Sequence, residues 1–255
     1  VQAPPLVARA RVCYAVGRQE VKAMPVAILF DVFGTCVDWR NSVAREVAAM
    51  AKRKGATVDA FAFADAWRAH YVPSMAVVSS GKRPYVPLDT LHRETLVVLC
   101  RQFGLPLDDA ETDDLNFAWH RLDPWPDTVA GLARLKTKFI LSPLSNGNVR
   151  LLVDMAKRAG LPWDAVLSSE VFKAYKPQPA TYLGAVEMLG CKAGEVMLTA
   201  AHNNDLRAAQ GHGLMTAFVP RSSEYGPAQK ADLGAEGAWN YVARDFLHLA
   251  DMLGV

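Results

Sequence analysis

The carboxylate of Asp31 stands where an apolar run, Val26 to Phe30, gives way to Val32-Phe33-Gly34-Thr35. Short, continuous and rich in branched residues, the run reads as a buried strand. A carboxylate at the carboxyl end of such a strand is placed for nucleophilic or acid–base chemistry. Gly34 permits the sharp turn that brings backbone N–H groups toward a ligand. Alone, the feature reads equally well as a strand followed by a turn with an Asp cap. Three later stretches break the tie. Ser145-Asn146-Gly147 follows the apolar Phe139-Ile140-Leu141, Lys176-Pro177 lies in the loop after Ala165-Val166-Leu167, and His202-Asn203-Asn204-Asp205 follows Glu195 to Thr199. If these runs are neighbouring parallel strands, four loops distant in sequence meet at one edge of a sheet. Each has a plainer competitor: Lys176 as a solvated loop lysine, Ser145 and Asn146-Gly147 as a turn with its cap, Asp205 as a helix N-cap. Their order along the chain favours the pocket.

The elements that must position these loops follow from periodicity and breakers. Asn41 to Lys54 has Val43, Val47 and Met50 at helical spacing and stops near Gly55. Helical runs follow over Asp59 to Val78, Leu88 to Phe103 and Asp113 to Leu122. Pro124-Trp125-Pro126 resets the chain, and Asp127 is the expected N-cap of a helix to Leu135. Strands then alternate with helices over Val149 to Ala159, Pro179 to Leu189, Leu206 to Gly211 and Arg244 to Leu253, with a last strand over Leu214 to Val219. This alternation predicts an α/β fold: a doubly wound parallel sheet, a Rossmann-like core. The expected division is a core domain of residues 24–40 and 123–255, interrupted by an all-helical cap domain over 41–122 set above the strand ends. Residues 1–23 carry several Arg and Val without a continuous apolar stretch and make a poor signal peptide. They are expected to be an N-terminal extension outside the fold, disordered or upstream of it.

With 255 residues, 51% of them hydrophobic, the chain has ample material for a core. Its net charge of +2 and lack of a basic stripe argue against a nucleic-acid partner. No apolar run approaches the length of a membrane span. Cys13, Cys36, Cys100 and Cys191 have no Cys-x-x-Cys spacing and are expected to be free thiols in a cytoplasmic protein. Cys36, just past Asp31, is expected to be a packed small residue, with a thiol nucleophile as the competing reading. His70, His92, His120, His212 and His248 lack metal-ligand spacing and are taken as structural or surface residues. There is no G-x-S-x-G elbow, H-E-x-x-H, Walker loop or G-x-G-x-x-G, so no cofactor is expected.

The ordered set resembles the haloacid dehalogenase superfamily over nearly the whole chain from about Val26. Phe30-Asp31-Val32-Phe33-Gly34-Thr35, Leu144-Ser145-Asn146-Gly147, Tyr175-Lys176-Pro177 and Trp67-Arg68 are most similar to its L-2-haloacid dehalogenase branch. Phosphatases of the superfamily carry a second Asp two residues after the nucleophile, which protonates the leaving alkoxide; here that residue is Phe33. They also hold Mg²⁺ with an acidic pair on the fourth loop, where this chain offers only Asp205, so no metal site is expected. A halide leaves without a proton, and Phe33 therefore points to attack on carbon. The resemblance implies that Asp31 attacks C2 of a short (S)-2-haloalkanoic acid, expels halide and forms an aspartyl ester. Water then attacks the Asp31 carbonyl carbon and releases a 2-hydroxyalkanoic acid of opposite configuration. Lys176 is the implied counter-charge, worth roughly 4 kcal/mol at about 4 Å and an effective dielectric near 20. By the same resemblance Asp205 positions or activates the water, and Thr35 and Ser145 offer hydroxyls to Asp31 and to the substrate carboxylate. Asn146 and Arg68 meet the departing halide, and Tyr182 orders the lysine cluster. Arg68 would reach down from the cap, so that closure completes the site. A homodimer is the family tendency.

The fourth loop departs from the pattern. Well-known L-2-haloacid dehalogenases read Ser-Ser-Asn-x-Trp-Asp, whereas this chain reads Ala200-Ala201-His202-Asn203-Asn204-Asp205. Either His202 takes over hydrogen bonding near Asp31 or the water, or it stands behind the site with no direct role. Asn204, in place of the Trp, alters the pocket wall. A polar donor there would favour fluoride, which brings fluoroacetate into the expected range of haloacetates. Three other functions compete: a carbon-centred hydrolase opening a small carboxylate-bearing ring, with His202 as proton donor; a Mg²⁺-dependent phosphatase; and a non-catalytic scaffold. The joint presence of Asp31, Lys176 and Asp205 argues against the scaffold.

Overall fold

Strand β1 (Ala27–Phe30) is buried along its whole length, and its alternate side chains serve two apolar clusters. Ile28 and Phe30 join one cluster, Ala27 and Leu29 the other. A strand covered on both faces must be apolar throughout, which is why this run lacks polar alternation. The computed structural model describes residues 24–255; the expected N-terminal extension over 1–23 and Cys13 lie outside the described residues.

The chain leaves and re-enters the sheet region through a two-stranded antiparallel ribbon, β2 (Val37–Asp38) with β3 (Asp123–Pro124). Between them lie helices α1 (Trp39–Lys54), α2 (Ala60–Ala69), α3 (Tyr71–Ser79), α4 (Leu88–Gln102) and α5 (Asp109–Asn116), followed by a 3₁₀ turn over Phe117–His120. Helix α6 (Thr128–Leu135) leads to β4 (Ile140–Ser145), α7 (Val149–Ala159), β5 (Leu167–Ser168), α8 (Ser169–Phe172) and α9 (Pro179–Met188). Then come β6 (Val196–Ala200), α10 (Asn203–Gly211), β7 (Met215–Phe218), β8 (Tyr241–Val242) and α11 (Phe246–Met252). The main sheet has the order β5-β4-β1-β6-β7-β8, with neighbours parallel throughout. The chain therefore runs outward from β1 in one direction and later in the other. At that reversal the loops at the carboxyl ends diverge and leave a crevice.

Several boundaries differ from the sequence expectation, for identifiable reasons. The run over Asp59 to Val78 is two helices, because Pro73 has no N–H to give the carbonyl of Ala69; Ser74 N–H starts the second ladder at His70 O, 3.0 Å away. The helix expected from Asp113 starts at Asp109 behind a capping box between Asp108 and Glu111. Asp127 precedes α6 but makes no side-chain cap bond to it. Its carboxylate instead takes two donors from Arg221, at 2.6 and 2.9 Å, and the N–H of Phe246 at the start of α11. Strand β4 runs through Pro143 to Ser145; β5 reaches only Leu144 and Ser145, so the proline sits where one side of β4 is unpaired. Strand β8 and the ribbon were not expected; at two residues each they carry no periodicity.

Candidate active site

Strand β1 ends at Phe30 and delivers Asp31 to the crevice, with its N–H bonded to Thr199 O on β6. Gly34 turns the chain at φ +84°, and Thr35 comes back beneath Asp31 to donate its hydroxyl to Oδ2 at 2.7 Å. Thr35 Oγ1 in turn accepts the N–H of Ala201 at 2.9 Å, which ties the first loop to the fourth. The Lys176 ammonium reaches Asp31 Oδ1 at 2.8 Å and Asp205 Oδ2 at 2.5 Å. The other oxygen of Asp205 accepts the Tyr182 hydroxyl at 2.6 Å. On the far side, His202 Nδ1 lies 3.0 Å from Asp31 Oδ2 and Nε2 lies 2.9 Å from Glu224 Oε2.

Burial alone would raise the pKa of Asp31, but the Lys176 charge and the His202 hydrogen bond and charge outweigh it and hold the carboxyl far below its usual range. Lys176 is desolvated as well, yet Asp205 and Asp31 push its pKa up, so the ammonium stays charged. For His202 the burial penalty is overcome by Glu224 and Asp31, and its pKa rises well above the ordinary value. Burial and the neighbouring Asp205 raise that of the Tyr182 phenol, which remains a donor.

Asp31, Phe33, Arg68, Asn146, Lys176, Tyr182, His202, Asn204 and Asp205 line one cavity of about 410 Å³. Phe33 packs against Tyr71 and Trp119 with ring centroids 6.2 and 5.7 Å away. Asn146 is held by its oxygen, which accepts from Ser169 Oγ at 2.7 Å and Lys176 N at 2.8 Å. Asn204 accepts the Asp205 N–H at 2.8 Å and so braces the carboxylate's own residue. Arg68 stacks over the Tyr71 ring at 4.1 Å, and its buried Nε has no hydrogen-bond partner among the described residues. Burial works against its charge, but Tyr225, Tyr71, Glu224 and Asp31 together raise its pKa. Thr35 and Ser145 are fully buried beneath the cavity; Ser145 Oγ accepts the N–H of Gly147 at 3.1 Å and shapes the Asn146 loop. Cys36 is buried as well, its thiol donating to Asp31 O at 3.2 Å, and burial raises its pKa well above the thiol range. No group of three or more His, Cys, Asp or Glu among the described residues is arranged to hold a metal ion. No helix there is long and apolar enough to cross a membrane.

The family described as haloacid dehalogenase-like hydrolase matches residues 26–213. The chain belongs to this family of hydrolases. Among curated proteins, this hydrolase is 29% identical over 200 residues to (S)-2-haloacid dehalogenase of Xanthobacter autotrophicus, covering 78% of this chain and 76% of that one. It is 27% identical over 227 residues to (S)-2-haloacid dehalogenase 4A of Burkholderia cepacia, covering 86% and 95%. The crystal structure of a defluorinating L-2-haloacid dehalogenase matches with a TM-score of 0.89 at 50% identity, over 91% of this chain and 96% of that one.

Sequence reasoning missed three residues of the hydrolase's site. Glu224 lies in the loop after β7, beyond the strand-end positions that mark Asp31, Lys176 and Asp205. Tyr71 lies three residues beyond Arg68, the helical spacing that brings the two together. Tyr225 closes the cavity beside Glu224.

Proposed function

We propose that this hydrolase is an (S)-2-haloacid dehalogenase that converts short 2-haloalkanoic acids to 2-hydroxyalkanoic acids through an ester on Asp31. One observation carries the reading: the Lys176 ammonium occupies the space between Asp31 and Asp205, with Phe33 where a phosphatase would hold its proton donor. A divalent ion would have to displace that ammonium. A carboxylate paired to a fixed cation is a nucleophile suited to a carbon whose leaving group needs no proton. Asp31 attacks C2, the halide departs toward Arg68 and Asn146, and water directed by Asp205 attacks the Asp31 carbonyl carbon. In this reading the helical segment over 41–122 is a cap that closes on substrate, and the protein is a cytoplasmic homodimer.

The range extends to fluoroacetate. The 50%-identical relative is named for defluorination, and the unpartnered N–H of Arg68 is a charged donor for a small anion. The test is a halide-release panel over chloro-, bromo- and fluoroacetate and both enantiomers of 2-chloropropionate, run in EDTA. Release is expected from the haloacetates and from the (S) enantiomer, with lactate of inverted configuration as product. Activity abolished by EDTA, or confined to phosphoesters, would overturn the reading.

A further inference from the structure

The two oxygens of Asp31 are not equivalent. Oδ2 takes two donors, the Thr35 hydroxyl at 2.7 Å and His202 Nδ1 at 3.0 Å, whereas Oδ1, among the described residues, takes Lys176 Nζ alone at 2.8 Å. A carboxylate oxygen offers two in-plane lone pairs, so Oδ2 is fully engaged and Oδ1 keeps one free for carbon. Both nitrogens of His202 face carboxylate oxygens, Nδ1 that of Asp31 and Nε2 that of Glu224 at 2.9 Å. A ring placed between two acceptors donates from both sides, which is the imidazolium. Glu224 is itself 1% exposed, and its second oxygen accepts the indole N–H of Trp39 at 2.9 Å.

We propose that His202 and Thr35 form the oxyanion site for hydrolysis of the Asp31 ester, with Glu224 as the positioning residue that holds the imidazolium on Oδ2. The inference rests on the ester reading above and adds the oxygen and the donors. Oδ1 bonds to C2 while the carbon–halogen bond breaks and the halide leaves with the electron pair. Oδ2 is then the ester carbonyl oxygen. Water adds to Cγ, giving one proton to Asp205, and the carbonyl pair moves onto Oδ2. The oxyanion thus forms where two donors already stand, without reorganisation. Collapse restores the carbonyl, breaks the Cγ–Oδ1 bond and releases the alkoxide, which takes a proton from Lys176. Asp205 returns its proton to Lys176, and the regenerated Asp31 carboxyl loses its own to solvent.

Charge supports the same assignment. In the resting site Asp31, Asp205 and Glu224 face Lys176, His202 and Arg68. Esterification removes the Asp31 charge and leaves His202 short of one partner, and the oxyanion replaces it. Glu224 and Asp31 outweigh the burial of His202 and raise its pKa, the direction that a ring donating to two carboxylates requires. Beyond those two carboxylates, the charged or titratable groups that share the cavity with it are Lys176, Arg68, Asp205, Asp232 and the phenols of Tyr71, Tyr182 and Tyr225.

The test separates the two half-reactions. Enzyme is mixed rapidly with (S)-2-chloropropionate; chloride release and the intact-protein mass are followed together. In His202→Ala the chloride burst is expected to persist at one equivalent while the ester on Asp31 builds up, its hydrolysis slower by about 10²–10³-fold. Glu224→Gln is expected to slow the same step by about 10–100-fold, as for residues that orient a reacting group through another, and to bring its alkaline decline to lower pH. Circular dichroism checks folding; if His202→Ala does not fold, Glu224→Gln and Trp39→Phe carry the test, the latter with a smaller effect in the same step. Slowed alkylation with no ester accumulating, or unchanged hydrolysis, would overturn this proposal while leaving the dehalogenase reading intact. A wild type that releases no chloride and gains no adduct would overturn both.

Discussion

Asp31 is a buried acid kept ionised by two cations on opposite sides. That arrangement has a signed consequence. Because its pKa lies below the ordinary 3.8, the nucleophile stays a carboxylate as pH falls past that value, so the acid limb of kcat/KM down to about pH 4 should not contain its protonation. Removing Lys176 takes away the larger of the opposing charges and leaves the burial that favours the neutral acid. Lys176→Met is therefore expected to move the acid limb upward in pH and to lower kcat/KM, read from initial-rate halide release across a pH series. Asp31→Asn keeps the shape but not the nucleophile, and should reduce turnover by at least about 10³-fold with no ester formed, checked by intact mass.

At the scale of elements, the turn after β1 is built around Glu224 as much as around a ligand. A Cβ placed on Gly34 would lie 2.1 Å from Glu224 Oε1, at a φ of +84° that side chains other than glycine rarely adopt. Gly34→Ala is expected to lower stability by about 1–3 kcal/mol from the backbone alone. It should also push Glu224 off His202, so hydrolysis of the ester suffers more than its formation; thermal unfolding and the chloride burst read the two effects separately. Glycine as a turn former was legible in the sequence, but its neighbour was not. Glu224 meets residues 185 and 22 positions away, Trp39 and His202, and no local pattern joins them. What was legible had a local cause. Strand β1 is a continuous apolar run because both its faces are covered, and the four polar loops followed from the strand ends. Pro73 and the Asp108–Glu111 pair were readable signals of the two displaced helix boundaries. The two-residue strands had none, since pairing partners alone define them.

Across the whole molecule, the helices between β2 and β3 are stitched to the sheet-bearing part by polar bonds away from the cavity. His120 is 2% exposed and lies between Asp154 on α7, 2.9 Å from Nδ1, and Asp89 on α4, 3.1 Å from Nε2. Asn148, before α7, donates to the same Asp89 at 2.8 Å, and Tyr175 donates to Val86 O at 2.8 Å. Such a seam fixes how α3 and Arg68 sit over Asp31, so loosening it should reach the site without touching it. Burial raises the pKa of Asp89 and of Asp154, but the His120 hydrogen bonds, with Asn148 and Arg150, pull each below its ordinary value. A carboxyl whose folded pKa is depressed stabilises the fold above the unfolded value of about 3.8 and loses that contribution as pH falls through the folded one. The seam should therefore hold at neutral pH and weaken progressively below about pH 4. Asp89→Ala is expected to cost about 1–3 kcal/mol at neutral pH by leaving His120 and Asn148 short of an acceptor, a fall of roughly 2–10 °C in Tm for a chain of this size. The gap between variant and wild type should narrow as pH drops, since the wild type loses the same carboxylate. Calorimetry at pH 7, 5 and about 3.5 reads this directly; a gap that stays constant or widens toward acid would show that Asp89 stabilises the seam by packing rather than by its charge.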